Sequence, residues 1–128
     1  MKKLICYLLL LLVPVVFSTA CKKNKLGGKS SISGKVAHHG RPIGNSTVYI
    51  KFNTQDFPGD DVSKYDAKVN ADASGNYEFS SVYKGEYYLY AVGEDYTIPP
   101  PYIVEGGLPT KVHSKEHVSL DIPVTEGD

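Results

Sequence analysis

From residue 31 onward the chain alternates apolar and polar side chains with a period of two, the spacing that sends successive residues to opposite faces of a strand. Ile32, Gly34 and Val36 fall on one face of a first strand, with Ser33 and Lys35 on the other. A turn over residues 38–44, holding Gly40, Pro42 and Gly44, leads into Val48, Ile50 and Phe52, which alternate with Thr47, Tyr49 and Lys51. Residues 53–63 are polar and contain Pro58 and Gly59, the composition of a loop. The run from Asp66 to Asp72 reads as a strand with Val69 and Ala71 inward. Asp72 to Gly75 then reads as a tight turn, in which the aspartate accepts backbone N–H groups and the glycine supplies a positive φ. Tyr77 and Phe79 share one face of the next strand. Lys84 and Gly85 turn into Tyr87, Leu89 and Ala91, with Tyr88, Tyr90 and Val92 opposite. Pro99, Pro100 and Pro101 make a stiff, extended stretch that cannot donate ladder hydrogen bonds. The last strands are expected over Tyr102–Val104, resuming at Lys111–His113, and over Val118, Leu120, Ile122 and Val124.

About seven short strands separated by turn signals predict an all-β fold, an antiparallel Greek-key β-sandwich. Two sheets that each bury one face account for the persistence of the alternation. Composition agrees: the chain has 10 tyrosines, 12 glycines and 8 prolines, and no segment sustains a helical period. No internal repeat of solenoid length is visible. Lys and Arg number 14 against 14 Asp and Glu, so the electrostatic case for nucleic acid or an acidic polymer is absent.

The amino-terminal segment has another character. Lys2 and Lys3 precede an almost continuously apolar run from Leu4 to Phe17, which ends on Ser18, Thr19, Ala20 and Cys21. A charged start, a short apolar stretch and a small-residue exit predict a secretory signal. A retained transmembrane anchor needs about 20 apolar residues, and this run is shorter and broken by Pro14. The cysteine at its exit makes the segment similar to a bacterial lipoprotein signal, with Ser18 where most such signals carry an apolar residue. That resemblance implies cleavage before Cys21 and acylation of Cys21, which then anchors the protein in a membrane; each buried methylene contributes about 0.8 kcal/mol. Cys6 leaves with the signal, so no thiol remains for a disulfide, a metal or a nucleophile. The expected division is a signal peptide over residues 1–20, a lipidated cysteine and flexible tether over 21–30, and a β-sandwich domain over 31–126. Lys22, Lys23 and Lys25 in the tether suit anionic head groups, and no acidic residue follows the cysteine closely. The expected location is the bacterial cell envelope, at the outer membrane facing the periplasm.

Four stretches of the domain resemble the carboxypeptidase regulatory-like domain, a prealbumin-like β-sandwich: Ile32 to Val36, Gly40 to Ile50, Asp72 to Phe79, and Gly85 to Leu89. The resemblance spans Ser31 to Val92 and implies a fold rather than an activity, because the matched positions are structural. Gly34 admits close approach of a neighbouring backbone, Pro42 and Gly44 set the first hairpin turn, and Gly75 closes the Asp72 turn. Gly85 with Tyr87 resembles a tyrosine corner, in which a phenol bonds backbone across a connection between sheets.

Candidate chemistry is sparse. His38 and His39 are adjacent in a turn, while His113 and His117 flank a short loop beside Glu116. Zinc asks for about four ligands in a tetrahedron, so these read as solvated loop histidines and no metal or other cofactor is expected. Asp56, Asp60, Asp61 and Asp66 match no calcium-loop spacing and read as a solvated acidic loop. No nucleophile elbow, zinc-protease helix or phosphate loop is present, which points away from an enzyme. The outward positions Tyr49, Tyr88 and Tyr90 form a candidate interaction surface, weighed against the ordinary suitability of tyrosine for strand surfaces. Two functions follow as expectations. The first is a non-catalytic envelope lipoprotein that presents a β-sandwich as an interaction or structural module, with another envelope protein as its partner. The second is a carbohydrate-binding lipoprotein that uses the outward tyrosine face on a glycan.

Overall fold

A computed structural model describes residues 26–126. The expected signal peptide of residues 1–20, the expected lipidation of Cys21 and the first part of the expected tether lie outside the described residues. Among the described residues the chain forms ten strands in two sheets, with one short 3-10 turn at Val62–Lys64. In the first sheet, β1 (Leu26–His38) pairs antiparallel with β2 (Arg41–Pro42) and with β5 (Asn76–Val82). The second sheet has the order β10 (Thr125–Glu126), β7 (Ile103–Val112), β6 (Gly85–Glu94), β3 (Thr47–Phe52), β4 (Ala67–Asn70), antiparallel throughout.

The sheets face each other across the core that the alternation predicts. Ile32, Val36, Tyr77, Phe79 and Val82 from the first sheet meet Val48, Ile50, Tyr87, Leu89, Ala91 and Val104 from the second, all buried. Each valine, isoleucine, leucine or phenylalanine among them stabilises the fold by about 1.5–3 kcal/mol through removal from water. The Asp72 turn forms as expected: its carboxylate accepts the N–H groups of Ser74 and Asn76, both at 2.9 Å, and Gly75 has a φ of 80°. The tyrosine corner also forms. Tyr87 is fully buried and its hydroxyl donates to the Tyr83 carbonyl at 2.6 Å, while burial pushes its pKa up to about 12.

Four features depart from the sequence expectation. First, residues 26–30, expected in the flexible tether, belong to β1, where Leu26 and Ser30 pair with Val82 across an irregular register. Gly28 serves close approach there rather than flexibility, since a Cβ would lie 2.2 Å from the Val82 carbonyl oxygen. Second, the sandwich is not antiparallel throughout: β8 (His117–Ser119) and β9 (Ile122–Pro123) run parallel to β1. They break the alternating run over residues 118–124 into pieces, and the chain then crosses to the other sheet at Val124 to form β10. Third, β7 is continuous from Ile103 to Val112 despite Gly106, Gly107 and Pro109. Pro109 is tolerated because β10 pairs only with Val104 and Glu105, leaving that flank of β7 open beyond them. Fourth, Pro99 to Pro101 lie in a compact turn, with Pro100–Pro101 cis and the Asp95 N–H donating to the Tyr102 carbonyl at 2.7 Å.

Candidate functional site

Alternation along β6 puts Tyr87, Leu89 and Ala91 inward and Tyr88 and Tyr90 on the outer face of the second sheet, beside Tyr49 of β3. The outward direction matches the expectation, but the exposure does not. Tyr88 is 9 % exposed and Tyr90 only 2 %. Residues 53–66 fold back over the face and cover it. Phe57 sets its ring 5.6 Å from that of Tyr88 and 5.7 Å from that of Tyr90. Tyr65 stacks on Tyr90 at 5.6 Å with an interplanar angle of 16°, and half-buried Tyr49 tilts against Tyr65 at 5.8 Å. The anticipated open platform of Tyr49, Tyr88 and Tyr90 is therefore a second, aromatic core. Each ring pair adds about 0.5–1.5 kcal/mol beyond the area it buries, enough to hold a polar loop on a sheet.

The loop's aspartates explain how it stays down. Asp66 accepts the Phe52 N–H at 2.7 Å and faces the Lys51 ammonium at 3.3 Å. Asp61 caps the 3-10 turn by accepting from the Ser63 N–H at 3.1 Å, and the Tyr65 hydroxyl donates to the Gly59 carbonyl at 2.9 Å. Asp61 and Asp66 thus hold backbone, a role the reading of a merely solvated acidic loop omitted. The aromatics Phe57 and Tyr65 inside an otherwise polar stretch were the available signal.

At the edge of this aromatic core, beside β7 and β10, lies a pocket of about 350 Å³. Its walls are Phe57, Tyr88, Tyr90, Glu105, Thr125 and Glu126, and Gly106 and Gly107 form part of its lining. Gly107 is small for a reason: a Cβ there would meet the Tyr88 ring at 2.7 Å. Phe57 remains 55 % exposed at the rim. The Tyr90 hydroxyl is buried without a hydrogen-bond partner among the described residues. Burial, and then the adjacent Glu105 carboxylate, raise its pKa, although the two groups do not close a bond of ordinary geometry.

A larger, open cleft of about 760 Å³ runs past Ser33, Lys35, Asp72, Asn76, Glu78 and Asp121. Two of its carboxylates are already committed to backbone: Asp72 in its turn, and Asp121 accepting the Lys35 N–H at 2.9 Å. The aromatic pocket retains unengaged chemistry and is the better candidate.

His38 corrects another expectation. It is buried rather than solvated, and its Nδ1 donates to the Asp95 carboxylate at 2.7 Å. Hydrogen bonds from Thr97 and then His38, with Arg41 nearby, hold the Asp95 carboxyl well below the usual carboxylate range. The pair ties the end of β1 to the turn after β6, and no hydroxyl or thiol among the described residues bonds the His38 Nε2, which lies 3.9 Å from Glu126. His113 and His117 stay apart in their roles: His113 contacts Glu116 at 3.1 Å, and His117 bonds the Ser31 hydroxyl at 2.6 Å. Among the described residues no group of three or more His, Cys, Asp or Glu is arranged to hold a metal ion.

Residues 30–104 match the family model described as the BOS complex subunit NOMO1-like, second beta sandwich domain. No curated protein matches the chain. Among solved structures, a DUF3823 family protein from Parabacteroides merdae superposes with a TM-score of 0.50 at 15% identity, over 77% of this chain and 47% of its own. The chain thus spans about half the length of that protein. A protein from Pseudomonas aeruginosa called a "putative carbohydrate binding protein" superposes with a TM-score of 0.56 at 11% identity, over 78% of this chain and 91% of its own. At these identities the structural likeness speaks for the β-sandwich alone. The family match covers the stretch on which the carboxypeptidase regulatory-like resemblance rests, and it too describes a β-sandwich.

Proposed function

Since the chain belongs to the family of the BOS complex subunit NOMO1-like, second beta sandwich domain, we propose that it is a non-catalytic binding module. In this reading a lipid on Cys21 holds the module on a bacterial envelope, and the module engages a protein partner there. The observation that carries the reading is the aromatic pocket: residues 53–66 are packed onto a rigid sheet, leaving Phe57 at the rim of a recess that contains Glu105 and Glu126. Aromatic anchors beside a recess on a stiff scaffold are the usual makings of an interface centre. The test is a photo-cross-linking residue substituted for Phe57 in intact cells. Reproducible capture of one neighbouring protein supports the reading, and capture no different from that at a distant surface position ends it. Anchoring has its own test. Mass spectrometry of the native product finds an acylated Cys21 at its amino terminus, and Cys21→Ser releases the protein from the membrane fraction.

A second reading, glycan binding, is favoured by aromatic rings beside carboxylates and by the name of the Pseudomonas aeruginosa protein of similar fold. It uses the pocket rather than the tyrosine face originally expected, because that face is covered. Isothermal titration with envelope and dietary polysaccharides that gives no heat removes it.

A further inference from the structure

We infer that a recess at the uncovered end of the second sheet's outer face, lined by Asn45, Thr47, Tyr49, Glu94, Tyr96 and Ile103, binds one ring of a neutral β-linked sugar of gluco configuration. This recess is separate from the pocket at Phe57, so the inference goes beyond both readings above and holds whichever of them applies.

The sheet and one braced turn build the recess. Alternation puts Tyr90, Val92 and Glu94 of β6 on the outer face, with Thr47 and Tyr49 of β3 and Ile103 of β7 beside them in register. Residues 53–66 cover Tyr90, whereas Thr47 and Val92 stay half-buried and belong to an open volume of about 300 Å³. Of the three tyrosines expected to form a platform, only Tyr49 lines it. Tyr96 supplies the second ring from the turn after β6. Tyr96 is 73 % exposed, yet its position is fixed. Its hydroxyl donates to Glu94 at 2.6 Å, and its ring lies 5.0 Å from that of Tyr102. Tyr102 itself takes a φ of 70°, a costly conformation for a bulky residue. The neighbouring Asp95 carboxylate accepts from His38 at 2.7 Å and from the Thr97 N–H and hydroxyl at 2.9 and 2.6 Å. The buried His38–Asp95 pair thus gains a purpose: it steadies the turn that presents Tyr96. A ring held still in water gives up little freedom when a ligand arrives, which favours binding.

The lining selects a neutral ligand. It holds no cation, and its single carboxylate, Glu94, is exposed and already accepts the Tyr96 phenol. An anion is repelled there, and a cation gains little from one solvated carboxylate. Asn45 brings two amide donors and an acceptor, while Thr47 and Tyr49 bring hydroxyls that both give and accept. Mixed donors and acceptors suit vicinal hydroxyls, which also do both. Tyrosine faces are negative and attract the positively polarised C–H bonds of a sugar ring. In a β-gluco ring every substituent is equatorial, so both faces present C–H alone. An axial hydroxyl, as in a galacto ring, would lose water against an aromatic surface without a partner. The volume lies at the small end of ligand clefts and suits one ring, with the rest of the glycan outside.

The experiment titrates the full chain, labelled with ¹⁵N at glycine and held in a polyoxyethylene detergent that carries no sugar. The probes are cellobiose, β-1,4-galactobiose and a short neutral proline-rich peptide. Gly44 and Gly93 line the recess, and Gly106 and Gly107 line the pocket at Phe57, so each site has its own reporters. Cellobiose is expected to move the Gly44 and Gly93 amide signals saturably, about tenfold more tightly than galactobiose. Tyr96→Ala is expected to weaken cellobiose about tenfold, while Tyr96→Phe keeps most of the affinity. Asn45→Gly, which tolerates the φ of 60° there, is expected to weaken it about fivefold. No saturable response to cellobiose, equal affinity for galactobiose, or unchanged affinity in Tyr96→Ala overturns the inference. A peptide that binds as tightly as cellobiose also overturns it, by assigning the recess to a protein. Shifts confined to Gly106 and Gly107 end this inference while supporting glycan binding at the other pocket. Capture of a neighbour at Phe57 supports the protein-partner reading under any of these results, so the failures are distinguishable.

Discussion

Tyr87→Phe removes one oxygen from the interior and nothing else. The ring keeps its volume, so the T-shaped contact with Phe52 at 6.0 Å survives and no cavity opens. The loss includes the 2.6 Å bond to the Tyr83 carbonyl, which fixes the crossing from β5 to β6. An unpaired buried acceptor costs about 1–3 kcal/mol. Tyr83 is only half-buried, so water reaches part of its carbonyl and the lower half of that range applies, about 1–1.5 kcal/mol. A domain of this size loses about 5 °C of Tm per kcal/mol, which gives a drop of roughly 5–8 °C. Thermal and urea unfolding followed by circular dichroism measure it, with Tyr96→Phe as control because Tyr96 is 73 % exposed and bonds only Glu94. A Tyr87→Phe protein that melts with wild type, while the control behaves as expected, refutes the claim that the corner bond holds the crossing.

Gly34→Ala drives a Cβ to 1.9 Å from the Leu120 carbonyl oxygen, so the backbone leading from β8 to β9 must retreat from β1. The expected loss is about 1–3 kcal/mol, read as earlier urea unfolding, and an unchanged midpoint contradicts the close approach. At alkaline pH the buried phenols decide stability. Tyr87 titrates near 12 in the folded state against 10.0 for a free phenol, and burial likewise raises Tyr65, Tyr77 and Tyr90. The folded state holds these protons more tightly, so stability is intact below pH 10, falls as pH rises beyond it and is lost through about 12. Phenolate absorbance is expected to lag that of free tyrosine and to rise together with loss of the β-sheet dichroism. Full ionisation near pH 10 in a protein that is still folded contradicts the burial of these rings.

Much of the sandwich was legible because alternation reports a strand's inner face regardless of its partner. Val48, Ile50, Tyr77, Phe79, Tyr87, Leu89 and Ala91 are all buried as their spacing requires. Local chemistry was legible too, as with the Asp72 turn and the Tyr87 corner, since each is set within a few residues. Pairing was not. β8 and β9 are two or three residues long and their parallel partner lies more than 80 positions away, a relation that no local pattern encodes. The site was legible by half. Alternation pointed Tyr88 and Tyr90 away from the core, but their cover comes from Phe57 and Tyr65 in a loop without periodicity. His38 similarly met Asp95 only through the tertiary fold, 57 positions on.

The early start of β1 has a mechanical consequence. Four residues separate Cys21 from Leu26, so a lipid on Cys21 would keep the start of the first strand within about 18 Å of the bilayer surface. The pole at that end is formed by the turns that flank the opening of β1, and they bring Lys84 and Lys115, with Lys29 beside them, all exposed. Were a lipid to hold the domain there, these cations would suit anionic head groups. A short leash of this kind would hold the domain by that end and limit how far it could swing from its point of attachment.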